Sequence, residues 1–148
     1  MSKQCIKTNK FPLVSVKENK RQATFKNPER KPHKIVEIDG CLIDGSEEIK
    51  CDYLVSEIGS SSVLIELKGG DVEHGCEQLL ATAEHDAIRP LLEKRVAFLM
   101  ICSKYPRFDS FVAKAKQKCA KKYKTGFHVL CDRRELEMHR VMEIDGPY

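Results

Sequence analysis

The chain has no run of apolar residues long enough to cross a membrane, and Met1-Ser2-Lys3-Gln4 leads into no apolar signal core. A spanning segment is therefore not expected, and the cytoplasm is the expected compartment. There is no C-x-x-C pair. The seven cysteines, at positions 5, 41, 51, 76, 102, 119 and 131, are never closer than ten residues, which argues against a zinc ribbon or knuckle. Most fall where a strand or helix is expected, and there a thiol reads as a small buried hydrophobe. A glycine-rich phosphate loop, a G-x-S-x-G elbow and an H-E-x-x-H helix are also missing, which weakens NTPase, hydrolase and zinc-protease readings. No internal repeat and no low-complexity tract is present. What remains is an ordinary globular composition, 41% hydrophobic and 32% charged over 148 residues, enough for a single core.

The charge is unevenly placed. Residues 1–34 carry ten Lys and Arg against two acids, residues 35–93 carry three against fourteen, and residues 94–148 carry thirteen against six. An acidic centre that can hold cations, between basic ends that can grip a polyanion, fits a metal-dependent enzyme acting on nucleic acid. Residues 1–34 show no amphipathic period, and Asn27-Pro28-Glu29-Arg30-Lys31-Pro32 is held extended by two prolines. They read as a basic arm, with Phe11 to Val16 as a short edge strand, ahead of one domain over 35–148.

The stretch 50–80 organises that domain. Cys51 to Val55 are strand formers, Gly59 to Ser62 is turn chemistry, and the extended pattern resumes from Val63 to Lys68. In the second strand Val63, Ile65 and Leu67 point one way, so Glu66 and Lys68 project together from the other face. Asp52, on the neighbouring strand, brings a second carboxylate to the same end of the hairpin. Two carboxylates and an ammonium compose a divalent-cation site. Gly69-Gly70 and an N-capping Asp71 then open a helix whose apolar stripe is Val72, Cys76, Leu79, Leu80 and Ala83, with Gln78 beside it.

Asp52 followed, after thirteen residues, by Glu66-Leu67-Lys68 at a strand end resembles the PD-(D/E)xK nuclease superfamily, over roughly residues 35–131. Cys51 stands where the motif's name has proline, and no opening helix with a further glutamate is visible; Glu29 and Glu37 are the weak candidates for that acid. The resemblance implies a restriction-endonuclease-like core in which Asp52, Glu66 and the Leu67 carbonyl hold magnesium or manganese. It implies that Lys68 positions or deprotonates the attacking water, and that Gln78 matches the glutamine on the helix after the motif. Asp39 is a possible auxiliary acid, against its plainer use in an Asp-Gly turn. His74 and His85 read as surface residues, because an oxygen-lined magnesium site does not recruit imidazole.

Downstream, Arg95 to Cys102 is apolar at both parities and reads as a strand buried on two faces. A helix follows, with Phe108, Phe111, Val112, Ala115, Cys119 and Tyr123 on its stripe, and with six lysines in residues 114–124 and no acid among them. Lys114, Lys118, Lys121 and Lys122 are the expected phosphate contacts. Residues 125–131 read as a strand, while 133–144 fit either a short helix or an edge strand. The expected architecture is α/β: a mixed sheet with an antiparallel meander at one side, crossed by two helices. The expected function is a magnesium-dependent nuclease in restriction, host and mobile-element conflict or DNA repair, acting on DNA before RNA, with a homodimer if both strands are cut together. The alternative is a catalytically silent module of the same fold that binds nucleic acid or a protein.

Overall fold

A computed structural model describes residues 4–45, 49–67, 71–103 and 110–147. Its centre is β7, Arg95–Cys102. Val96, Phe98, Met100 and Cys102 face one apolar cluster, and Ala97, Leu99 and Ile101 face another. A strand apolar at both parities must be covered on both sides, and the rest of the chain does this. Beside β7 run β6 (Ser61–Glu66) and β8 (Phe127–Cys131), both parallel to it. Parallel neighbours require crossovers. These are α1 (Val72–Glu84), continued by a short 3-10 turn at Arg89–Leu91 around Pro90, and α2 (Ser110–Lys122).

Beyond β6 the sheet continues antiparallel through β5 (Tyr53–Glu57), β4 (His33–Glu37) and β1 (Ile6–Asn9), giving six strands in the order β1-β4-β5-β6-β7-β8. Helices α1 and α2 pack on one face. The other face carries a second sheet of β2 (Leu13–Glu18), β3 (Arg21–Lys26) and β9 (Arg133–Leu136), together with α3 (Met138–Met142). The β2 sequence alternates, burying Val14 and Val16 and exposing Leu13, Ser15 and Lys17, as a one-sided strand should. Residues 1–34, read above as an arm, thus supply β1 to the main sheet and β2 and β3 to the second.

Several expectations are met closely. The α/β class holds, with a mixed sheet, a meander at one side and two crossing helices. Asp71 caps α1, its Oδ1 accepting the His74 N–H at 3.0 Å, and Cys76, Leu79 and Ala83 are buried. Residues 133–144 are both alternatives in turn, β9 and then α3. Phe111, placed on the α2 stripe, is instead 42% exposed, and Phe108 lies outside the described residues.

Two expectations fail. The alternation of Val36, Ile38 and Leu42 with Glu37, Asp39 and Cys41 predicts a strand over 35–43, hairpin-paired with Lys50 to Ser56 so that Asp52 faces Cys41, but β4 stops at Glu37 and Gly40 turns the chain at φ +79°. Asp52 therefore lies opposite Ile38, whose N–H reaches its carbonyl at 2.9 Å, and not opposite Cys41. The cysteines also divide. Cys51, Cys76, Cys102 and Cys119 are the buried thiols expected, but Cys5 and Cys41 are joined by a disulfide that pins the start of β1 to the turn after β4. Sequence spacing gave no hint of this pair, since partners 36 residues apart meet only once β1 lies beside β4.

Loop-closure entropy puts that link at about 3–4 kcal/mol for so long a loop. Cys41→Ser should lower the denaturant midpoint of the oxidised protein accordingly and leave the midpoint in excess dithiothreitol unchanged, as followed by circular dichroism.

Candidate functional site

The two carboxylates of the expected motif come to adjoining strand ends. Glu66 closes β6, opposite Met100 of β7, and is 1% exposed. It lies on the helix-covered face. A Cβ added to Gly75 of α1 would stand 2.7 Å from the Met100 Cε and 4.0 Å from the Glu66 Cγ, so the bare glycine is what lets α1 settle over both. Asp52, immediately before β5, is 5% exposed. Its Oδ2 accepts the Leu67 N–H at 2.8 Å.

The backbone at Asp52 is irregular. Tyr53 pairs with Ile65 in the ladder, yet the Asp52 N–H also goes to the Ile65 carbonyl, at 3.1 Å and one residue out of register. Such an offset is a bulge, which re-aims the side chain it carries. Asp52 lines a pocket of about 280 Å³ with Glu18, Glu37, Asp39 and Tyr53, while Glu66 lies against α1. Electrostatics link the two acids through Cys51. Burial pushes that thiol far above its ordinary range, a hydrogen bond with Thr82 partly offsets this, and the Glu66 and Asp52 charges raise it further. Tyr53 is likewise raised, by burial first and then by Glu37, Glu18 and Asp52. Burial and the neighbouring carboxylates thus favour the protonated form of both side chains.

The segment leading into Asp52 is held from α1. The Gln78 Nε2 donates to the Lys50 carbonyl at 2.9 Å, and the Cys51 N–H donates to the Thr82 Oγ1 at 2.8 Å. Gln78, matched above to the glutamine on the helix after the motif, spends its amide nitrogen on the backbone. Lys50 was not singled out from sequence. Its buried ammonium donates to the Gly45 carbonyl and lies 3.9 Å from the Asp39 Oδ1, so Asp39 has an ion-pair role beside its place in the pocket wall. Glu18 and Tyr53 were also missed; the pairing of Glu37 with Tyr53 is the one signal that a correct register would have given. Lys68 lies outside the described residues. Among the described residues, no group of three or more His, Cys, Asp or Glu side chains is arranged to hold a metal ion. The donors named by the expected motif, the Asp52 and Glu66 carboxylates and the Leu67 carbonyl, are all oxygens, a chemistry that suits magnesium or manganese and not zinc.

On α2, Lys114, Lys118 and Lys121 are exposed and lie within two turns of one another. Lys122, also exposed, is engaged. Its Nζ donates to the Glu84 Oε1 of α1, which also accepts the Tyr123 hydroxyl at 2.7 Å, and the ammonium lies 5.5 Å from the Tyr123 ring centre. The lysine cluster has no acid in its own sequence, but the neighbouring helix supplies one.

The Lys122 hydrogen bond, and then that of Tyr123, hold the Glu84 carboxyl below its ordinary 4.5. A carboxyl whose pKa is lower folded than unfolded stabilises the fold above the unfolded value, and that contribution fades as pH falls through the folded one. With both side chains about half exposed, solvent limits it to roughly 0.5 kcal/mol or less. Urea unfolding of Glu84→Gln should therefore show a small loss relative to wild type at about pH 7 that shrinks toward zero at about pH 3.

Set beside known proteins, the chain is matched by no family model, by no curated protein and by no solved structure.

Proposed function

We propose that this protein is a metal-dependent nuclease, hydrolysing phosphodiester bonds at the adjoining ends of β5 and β6. The observation that carries the reading is that two buried carboxylates, Asp52 and Glu66, stand at adjoining strand ends, with the Leu67 N–H on the Asp52 Oδ2, in the acid and acid-x-lysine spacing of PD-(D/E)xK enzymes. The order of the chain supports it: strand, Gly/Ser turn, strand, capped helix, parallel strand.

In this reading Asp52, Glu66 and the Leu67 carbonyl hold magnesium or manganese, which when bound polarises the scissile phosphate and acidifies water. Asp52 presents its charge from the bulge, and the Leu67 N–H on its Oδ2 fixes the carboxylate plane. Glu66 is kept in place by its enclosure between β6, Met100 and α1. Lys68 is assigned, from the motif alone, to orient the attacking water and take its proton. The acidic pocket wall of Glu18, Glu37 and Asp39 draws cations toward Asp52. Lys114, Lys118 and Lys121 bind phosphates without reading bases. DNA is the favoured substrate, and simultaneous cleavage of two strands would require two copies of the chain.

Two observations favour a second reading, a silent module of the same fold. Glu66 is almost fully enclosed and Gln78 is committed to the Lys50 carbonyl, as they would be in a site retired into the core. Linear, circular and single-stranded substrates incubated in magnesium, manganese and chelator separate the two. The nuclease reading expects metal-dependent cleavage that Glu66→Ala and Lys68→Ala each reduce more than about tenfold, a barrier of at least about 1.4 kcal/mol, while circular dichroism remains that of wild type. Binding without cleavage in any metal would establish the silent module instead.

A further inference from the structure

The second sheet has one face against the core and one face open. Val14, Val16, Ala23, Phe25 and Leu136 point inward and are buried. The ladder places the outward residues in rows across the three strands. Lys17, Gln22 and Arg133 form the first, Ser15, Thr24 and Glu135 the second, and Leu13 and Lys26 the third. Strand spacing makes this floor about 10 Å wide, with rows about 6.7 Å apart. Its middle is low and polar: the Ser15 Oγ and Thr24 Oγ1 are 2.8 Å apart, and the Gln22 Nε2 donates to the Ser15 Oγ at 3.4 Å. Long exposed cations stand around it, Lys17 and Arg133 at one end, Lys26 at the other and Arg134 at the rim, with Glu135 in the middle row and Glu18 and Asp132 flanking the first.

A water-facing side is ordinary for such a sheet, but three outward cations to one outward acid around a floor of hydroxyls and an amide is a more specific composition. Lysines, arginines, hydroxyls and amides are the groups that contact phosphate and sugar oxygens. No outward residue of the three strands is aromatic, so bases have nothing to stack on. The position matters as much as the composition. Glu18, next to Lys17 at the end of β2, is itself part of the wall around Asp52, so the first row begins where the acidic pocket ends.

We propose that the open face of β2, β3 and β9 is a track for the sugar-phosphate backbone of nucleic acid, leading it to the Asp52 pocket from the side of the main sheet opposite α2. The proposal rests on the nucleic-acid reading above and deepens it, by giving the substrate a second, sequence-independent contact surface. It is tested on the full chain with a triple variant, Lys17→Gln, Lys26→Gln and Arg133→Gln. The probe is a fluorescent oligonucleotide, single-stranded or duplex, titrated in calcium over a range of salt. Three lost contacts should weaken binding about tenfold or more at low salt and flatten the slope of log K against log salt by roughly two to three units, with the thermal midpoint unchanged. Should the triple variant lose its fold, Lys17→Gln and Arg133→Gln, made singly at exposed positions, carry the test with a slope change of just under about one unit each. Variants that bind with wild-type affinity and slope overturn the track, as does a wild type that binds neither probe. A parallel assay in magnesium keeps the two claims apart. Weakened binding with no cleavage by any chain leaves the track standing and sinks the nuclease, whereas undiminished binding by a cleaving enzyme does the reverse.

Discussion

The requirement that β7 be dry on both faces governs the molecule. Its seven residues from Val96 to Cys102 are all buried and apolar, and at about 25 cal/mol per Å² of apolar surface, leaving either side open would forfeit several kcal/mol. The helices that connect its parallel neighbours cover one side. The other needs material from elsewhere in the chain, and the amino-terminal hairpin and the carboxy-terminal β9 and α3 provide it. The candidate site follows from this arrangement. Glu66 sits at the end of the strand next to β7 because the meander must join the parallel part of the sheet there, and it is enclosed because α1 must lie flat on Met100.

The two basic regions then fall on opposite sides of the main sheet. The lysines of α2 belong to the helical layer, and Lys17, Lys26 and Arg133 to the second sheet, with the acidic wall of Glu18, Glu37, Asp39 and Asp52 near the end of β2. The uneven charge of the sequence thus becomes a spatial arrangement, with basic groups on both sides of the main sheet and the acidic wall at the end of β2. Lys122 shows that local sequence overstates such a cluster. Its charge is shared with Glu84, a residue 38 positions away, that only helix packing brings near.

What could be read from the sequence was whatever depends on short-range periodicity. The double-sided burial of β7, the Asp71 cap, the stripe of α1 and the parity that sets Glu66 apart from Ile65 and Leu67 all follow from spacing within one element. What could not be read depends on pairing between distant segments. The Asp52 bulge shifts one side chain by a single residue of register, which no local pattern reports, and it sets Asp52 beside Tyr53 and Glu37. The second sheet escaped notice because its strands come from the two ends of the chain, and β9 is only four residues long. The Cys5–Cys41 link escaped for the same reason. Gln78 was correctly placed beside the α1 stripe, but the carbonyl it serves belongs to a segment whose path depends on the turn after Gly40.

The central claim is that Asp52 and Glu66 together hold a divalent cation, and manganese reports on this directly. Electron paramagnetic resonance of free manganese, titrated with wild type and with Asp52→Asn, measures binding without reference to any substrate. The account predicts saturable loss of the free-ion signal with one ion per wild-type chain, and a clearly weaker loss with Asp52→Asn, since the amide keeps the shape and removes the charge that offsets dehydration of the cation. Equal binding by the two proteins, or no binding by either, would contradict it.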